Sequence, residues 1–172
     1  MKNNHKIFDA RTIAIMGVLI AMEIVLSRFL SIAAWNIKIG FSFVPLALAG
    51  MLLGPTKGGI VGALADFIGA MLFPIGAYFP GFTLTAFLTG VIYGVFLHKK
   101  QTPGRIAAAV AINQLAMSLL LNTLWISMLY GSPFGPLFLT RIWQTVVLVP
   151  VQLVVILVIS KVLIGKLSFV IE

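Results

Sequence analysis

The stretch FLTRIWQTVVLVP, residues 138–150, places Arg141 and Gln144 in an apolar run that continues to residue 159. A charge in such a run is costly in lipid and ordinary at the edge of a soluble core. The rest of the chain decides between these environments. Of its 172 residues, 60% are hydrophobic and only 9% are charged, against about 25% charged residues in soluble domains. Since too few polar groups remain to cover a soluble surface, the sequence predicts an integral membrane protein.

The residue types argue for a binding protein rather than an enzyme. The chain has no cysteine, so disulfides and thiolate metal sites are excluded. It contains no P-loop, no nucleophile elbow and no His/Asp/Glu cluster with metal-ligand spacing. We therefore expect no metal, no cofactor and no ATPase activity in this chain. In a membrane protein, the net charge of +8 does not indicate a nucleic-acid partner.

Six apolar segments predict an all-α bundle of six transmembrane helices, which form a single membrane domain over residues 1–172. A spanning helix needs roughly 20 apolar residues, and fewer where protein surrounds it. The first helix has a long apolar region and is expected to be retained rather than cleaved as a signal peptide. Pro150 predicts a kink in the last helix. The predicted helices cover residues 11–30, 43–53, 58–73, 81–98, 105–130 and 137–164.

The basic residues predict the orientation of the bundle. With the amino terminus inside, nine of the 12 basic residues lie on the cytoplasmic side and three, Arg28, Lys38 and Arg141, lie outside. Cytoplasmic loops carry the excess of Lys and Arg, so both termini are expected in the cytoplasm. Because the three exceptions lie at or near the outer end, an anionic ligand arriving from outside would account for them.

The last helix carries one candidate site. Arg141 and Gln144 are three residues apart and share a face near the outer end. An arginine fork binds a carboxylate through two hydrogen bonds, and a glutamine amide both donates and accepts. The alternative is that Arg141 snorkels to the outer head groups.

The fifth helix carries a polar stripe. Gln114, Ser118, Asn122 and Trp125 follow i, i+4, i+8 and i+11, which puts them within about 80° of arc on an α-helix. A polar face that ends in a tryptophan suits a ring-shaped ligand that stacks and forms hydrogen bonds. The alternative, strongest for Gln114, is hydrogen bonding between helices.

The first helix has two opposite faces. Glu23 is an intramembrane acid, and such residues usually face the protein interior. A stripe of small residues lies about 180° away from it and lets another helix approach closely. We expect this stripe to meet a partner protein; the alternative is that it packs inside the bundle. Arg28 lies about 140° from Glu23 on a straight helix, so either the helix ends before it or it only anchors the outer interface. The small residues are Ala10, Ala14, Gly17 and Ala21.

Two further groups complete the candidates. Asp66 lies between Gly62 and Gly69 on one face of the third helix, and its expected role is to accept hydrogen bonds from a neighbouring element. Aromatic residues of the outer loops form either an interfacial belt or a lid over a pocket. These aromatics are Trp35, Tyr78, Phe79 and Phe82.

Two stretches carry a resemblance to a known family. AYFPGFTLTAFLTGVIYG at 77–94 is similar to the fourth-helix signature of the folate-specific S components of energy-coupling factor (ECF) vitamin transporters. EIVLSRFLSI at 23–32 is similar to the end of their first helix. The whole chain, with six short spans and no ATPase, resembles these substrate-capturing membrane subunits.

The resemblance implies uptake of folate across a bacterial plasma membrane. It implies capture of the vitamin from outside, with a coupling protein (the T component) and two ATPase subunits as partners. The small face of the first helix would dock on the coupling protein. The folate carboxylates would meet Arg28, Lys38 and Arg141. The pterin would meet Asn122, Trp125, Gln144 and an outer aromatic such as Trp35 or Phe79, with Glu23 on the inner face.

Three alternatives remain open. An S component for thiamine, riboflavin or another vitamin would share the fold, although three outward basic residues disfavour the thiamine cation. A small membrane enzyme would need acids or histidines clustered at one interface. A self-sufficient transporter or channel would work without any ATPase.

Overall fold

A computed structural model describes residues 9–33 and 38–167, with the backbone alone for residue 33 and residues 164–167. The described chain forms six helical segments and a two-stranded antiparallel hairpin. The fifth segment continues from α5 through a π-helix into α6. The elements are α1 (Ala10–Arg28), β1 (Ile32–Ala33), β2 (Lys38–Ile39), α2 (Phe43–Leu53), α3 (Pro55–Leu72), α4 (Pro80–Leu97), α5 (Pro103–Ile112), the π-helix (Asn113–Leu121), α6 (Asn122–Tyr130) and α7 (Phe134–Leu167).

Within the described ranges, four helices are long and apolar enough to cross a membrane: Ala10–Arg28, Pro80–Leu97, Pro103–Tyr130 and Phe134–Leu163. The apolar helix α2 has only 11 residues. Most of its side chains are buried, so other helices of the bundle cover it. A short helix is tolerated at membrane depth when protein surrounds it.

Prolines mark the beginnings of three helices. Pro55, Pro80 and Pro103 stand in the first turn of α3, α4 and α5, where a missing N–H costs nothing. These helices therefore begin one to three residues before the predicted starts at 58, 81 and 105. Gly54, at φ 84°, makes the sharp turn between α2 and α3 with a backbone conformation that favours glycine. The last helix continues through Pro150.

The hairpin corrects the purely helical prediction. Ile32 pairs with Ile39 and Ala33 with Lys38, in the stretch between the predicted helices 11–30 and 43–53. Two residue pairs are too few to give a periodic signal in the sequence. Trp35, a predicted site residue, lies outside the described residues.

Helices α3 and α4 approach each other through glycines. A Cβ on Gly90 would meet the carbonyl group of Gly58, and a Cβ on Gly62 would meet the carbonyl oxygen of Ala86. Small residues at such crossings let two backbones come close. Gly62 therefore serves the contact with α4, rather than the surroundings of Asp66.

The fully buried apolar core fills one half of the bundle. Leu97 at the end of α4, Ile106 in α5 and Ile156 in α7 are inaccessible to solvent. Arg105 closes this end, because its Nε donates to the carbonyl oxygen of Phe96 at 2.5 Å and its Nη2 donates to that of Val95 at 2.9 Å. A cation is favourable there, at the carboxyl end of α4. The other half, which holds the hairpin, encloses the candidate site.

Candidate ligand-binding site

A cavity of about 600 Å³ opens between the helices in the hairpin half of the bundle. Its size is typical of sites for small molecules. The walls come from β2, the π-helix and the helices α1, α2, α3, α4, α6 and α7. Its lining includes many polar side chains: Glu23, Arg28, Lys38, Asp66, Tyr78, Asn113, Gln114, Ser118, Asn122, Arg141, Gln144 and Gln152.

The three outer basic residues singled out by the topology meet at this cavity. Arg28 ends α1, Lys38 lies in β2 and Arg141 lies in α7, and all three line the same space. The acids in the lining are Glu23 and Asp66. Three positive charges against two negative charges leave a balance of +1, which favours an anionic ligand.

Arg28 faces the cavity and is paired with α3. Its Nη2 lies 3.6 Å from Oδ1 of Asp66 and donates to the carbonyl oxygen of Asp66 at 3.4 Å. A Cβ at Gly69 would lie 3.0 Å from Nε of Arg28, so this glycine makes room for the guanidinium group. Asp66 also accepts a hydrogen bond from Oγ1 of Thr83 at 2.8 Å. Its carboxylate thus ties α1, α3 and α4 together, as its expected structural role requires.

Lys38 and Glu23 form a second polar group on the same side. Lys38 Nζ donates to Oγ of Ser27 at 2.6 Å, and Glu23, which is 8% exposed, lies one turn earlier on α1. Burial lowers the pKa of the Lys38 ammonium, and the nearby charge of Glu23 opposes that shift. Gln144 Nε2 donates to the carbonyl oxygen of Lys38 at 2.7 Å, which fastens the hairpin to α7.

Arg141 points into the bundle. It is 5% exposed, lines the cavity, and its Nη2 donates to the carbonyl oxygen of Ser118 in the π-helix at 3.1 Å. A snorkelling side chain would extend away from the bundle towards the head groups. The geometry therefore favours the pocket interpretation of this residue.

Several amide groups on the cavity have unused acceptor atoms. Four amide oxygens are buried and have no donor among the described residues: Asn113 Oδ1, Gln114 Oε1, Asn122 Oδ1 and Gln144 Oε1. Buried polar atoms in native proteins nearly always have a partner. These four side chains are therefore the natural contacts for a ligand that carries hydrogen-bond donors.

Trp125 does not line the cavity, contrary to its predicted role. Its Nε1 donates to Oγ1 of Thr85 at 3.0 Å, and its ring packs behind Phe79 at a centroid distance of 5.6 Å. Phe79 itself lines the cavity, as do Tyr78 and Phe82, so these aromatics form a wall of the site rather than a peripheral belt. Trp125 supports Phe79 from behind.

The π-helix explains this displacement. Its i→i+5 hydrogen bonds give more residues per turn than an α-helix, so the residues that follow it are rotated relative to Gln114 and Trp125 turns away from the cavity face. The cavity-facing column instead runs through Gln114, Ser118, Asn122 and Ile126, at a constant spacing of four. The same geometry brings Asn113 into the lining beside Gln114.

The polar groups deep in the cavity were not predicted from the sequence. Tyr93 of α4 donates through its hydroxyl to Oε1 of Gln152 in α7 at 3.3 Å, and both residues line the cavity with Asn113. Gln152 carried a usable signal, since it follows Gln144 by eight residues and shares its helix face. Asn113 and Tyr93 carried none.

The small stripe of α1 faces away from the cavity. Ala10, Ala14, Gly17 and Ala21 are all exposed, and a Cβ on Gly17 would meet nothing within 4 Å. The alternative that these residues pack inside the bundle is wrong. The opposite face of α1 is buried, with Glu23 and Ser27 turned inward.

A sequence model of the family described as "ECF transporter, substrate-specific component" matches residues 11–165. The chain belongs to this family. The resemblance drawn from the two sequence stretches is thus confirmed. The protein is a component of a membrane transporter, and it has the substrate-binding role rather than that of an enzyme.

Relatives of this ECF substrate-specific component carry a consistent description. The folate transporter FolT of Clostridium novyi (strain NT) is 47% identical over 142 residues, which cover 82% of this chain and 83% of that protein. The folate transporter FolT of Leuconostoc mesenteroides subsp. mesenteroides is 32% identical over 151 residues, covering 84% and 81%. The crystal structure of FolT bound with folic acid superimposes with a TM-score of 0.85 at 40% identity, covering 89% of this chain and 94% of that one.

Proposed function

We propose that this ECF substrate-specific component binds folate in the described cavity and takes part in its uptake. The observation that carries the proposal is the joint presence of three cations and four unpartnered amide acceptors on one cavity. Relatives named as folate transporters, and a matching structure that contains folic acid, support the same ligand.

The chemistry of folate matches this lining at both ends. Its glutamate tail carries two carboxylates, and Arg141 offers them a fork of N–H donors. Its pterin ring is flat and carries donors and acceptors on its edges. Phe79 offers this ring an aromatic face, and the amides of Asn122 and Gln144 offer it hydrogen bonds.

We place the cavity on the outer side of the membrane and both termini in the cytoplasm. The count of basic residues supports this orientation. Arg28 of α1 and the first half of α7 both lie at the cavity, so the start of α1 and the end of α7 are at the opposite end of the bundle. A ligand would then enter from outside, near the hairpin.

We further propose that transport requires partners. The exposed small face of α1 would dock on a membrane coupling protein, and two ATPase subunits would supply the energy. Small exposed residues allow a partner helix to approach closely. The membrane would be the bacterial plasma membrane.

The test is to titrate the purified chain separately with folic acid, thiamine and riboflavin and to monitor its tryptophan fluorescence. N-acetyltryptophanamide at the same concentration corrects for light absorbed by each vitamin. Folic acid is expected to quench saturably and the thiamine cation to have no effect, because the cavity has a positive balance. Saturable binding of thiamine or riboflavin without binding of folic acid would refute the assignment and favour another vitamin.

A further inference from the structure

The two acids that line the cavity differ in how many hydrogen bonds and ion pairs their carboxylates receive from protein groups. Asp66 is engaged on both sides of its carboxylate, by Thr83 at Oδ2 and by Arg28 at Oδ1. Glu23 has the Ser27 hydroxyl beside it and the Lys38 charge nearby, while Lys38 Nζ itself donates to Ser27. A carboxylate accepts about four hydrogen bonds, so Glu23 keeps acceptor capacity towards the cavity.

A pterin presents one edge that few side chains can match. Its 2-amino group and the neighbouring ring N–H are two donors side by side, and they need two acceptors side by side. The amides with an unpartnered oxygen on the cavity each carry one acceptor and one donor group, so none of them satisfies both: Asn113, Gln114, Asn122 and Gln144. A carboxylate does satisfy both, through two parallel charge-assisted hydrogen bonds.

Resting on the proposed folate function, we propose that Glu23 determines specificity by accepting both hydrogen bonds from this pterin edge. The pterin then lies against the α1 wall, and the glutamate tail extends towards Arg141 on α7. The two ends of the ligand are bound by groups of opposite charge on different helices, Glu23 on α1 and Arg141 on α7. A vitamin without a two-donor edge would leave a buried acid unmatched, and this costs binding energy.

The experiment compares Glu23→Gln with the unaltered full chain by isothermal titration calorimetry in detergent. Three probes are used: folic acid, pteroic acid, which lacks the glutamate tail, and p-aminobenzoylglutamate, which lacks the pterin. The Gln variant is expected to bind folic acid and pteroic acid about 10- to 100-fold more weakly, as for the loss of charge-assisted hydrogen bonds. It is expected to bind p-aminobenzoylglutamate at least as well, because one negative charge has been removed.

Equal losses for all three probes, or unchanged binding of pteroic acid, would overturn the assignment of Glu23. Failure of the unaltered chain to bind folic acid would instead overturn the proposed function, so the two failures are distinguishable. Circular dichroism melting checks that the Gln variant is folded. If it is not, the decision passes to Glu23→Asp, for which a loss confined to the two pterin-containing probes supports the assignment and a uniform loss overturns it.

Discussion

Replacement of Arg141 by alanine should weaken folic acid binding through the loss of its guanidinium group. The side chain is 5% exposed and lines the cavity, so a carboxylate bound to it is shielded from water. A hydrogen bond to a charged group contributes about 1.5–3 kcal/mol. At roughly 1.4 kcal/mol per factor of ten, the dissociation constant should rise about 10- to 150-fold.

Pteroic acid separates this effect from damage to the fold. Because it lacks the glutamate tail and keeps only the benzoate carboxylate nearer the pterin, its affinity should fall much less in Arg141→Ala than that of folic acid. The loss of the contact from Arg141 to the Ser118 carbonyl should lower the free energy of unfolding by about 1 kcal/mol, which thermal melting measures separately. Arg141→Lys keeps the charge but loses the fork, so its affinity for folic acid should be intermediate.

The matched control is Trp143→Ala, two residues along the same helix and 73% exposed. Calorimetric titration of each purified variant with folic acid and pteroic acid gives both constants. Unchanged affinity of Arg141→Ala for folic acid would refute the carboxylate contact. Arg141 would then have only the structural role of joining α7 to the π-helix.

Two other predictions concern packing and docking. Gly90→Ala should destabilise the protein by about 1–3 kcal/mol, because the new methyl group overpacks the α3–α4 crossing. Gly17→Ala, with nothing near its Cβ position, is the control, and equal melting temperatures for the two variants would contradict the packing argument. Ala14→Trp should leave folic acid binding unchanged and abolish uptake in cells that contain the coupling protein and ATPases. Val158→Trp, at an exposed position of α7, should support normal uptake, and normal uptake by Ala14→Trp would exclude this face as the docking surface.

Hydropathy, together with the glycines and prolines at the helix ends, predicts most of the helical architecture. The bounds of α2 agree with the prediction to the residue, since polar turns or glycines flank it. The starts of α3 and α4 were placed too late because Gly58 and Gly81 were taken as the first helical residues, and that of α5 was placed too late at Arg105. The prolines before them carried the better signal, since a proline in the first turn is compatible with a helix. The hairpin escaped prediction because two residue pairs have no period.

The site residues were predictable where their charge determines their position, and unpredictable where the helix geometry determines which residues face the cavity. Counting cations by side brought Arg28, Lys38 and Arg141 together without any structure. Trp125 was misplaced because the stripe was drawn on an α-helix, whereas residues Asn113–Leu121 form a π-helix. Intrinsic propensities of single residues do not encode a π-helix. The spacing of residues on its faces was therefore unknown, and Asn113 could not be distinguished from a surface residue.

The two faces of α1 link binding to transport. One face presents Glu23 and Ser27 to the cavity, and the other exposes the stripe of small residues at Ala10, Ala14, Gly17 and Ala21. A helix that contacts the ligand on one side and a partner on the other connects ligand binding to docking over a short distance. If Glu23 holds the pterin edge, ligand occupancy acts directly on the helix that we propose docks on the coupling protein. Glu23→Gln should therefore alter both folic acid affinity and the dependence of docking on folic acid, whereas Ala14→Trp should alter docking alone.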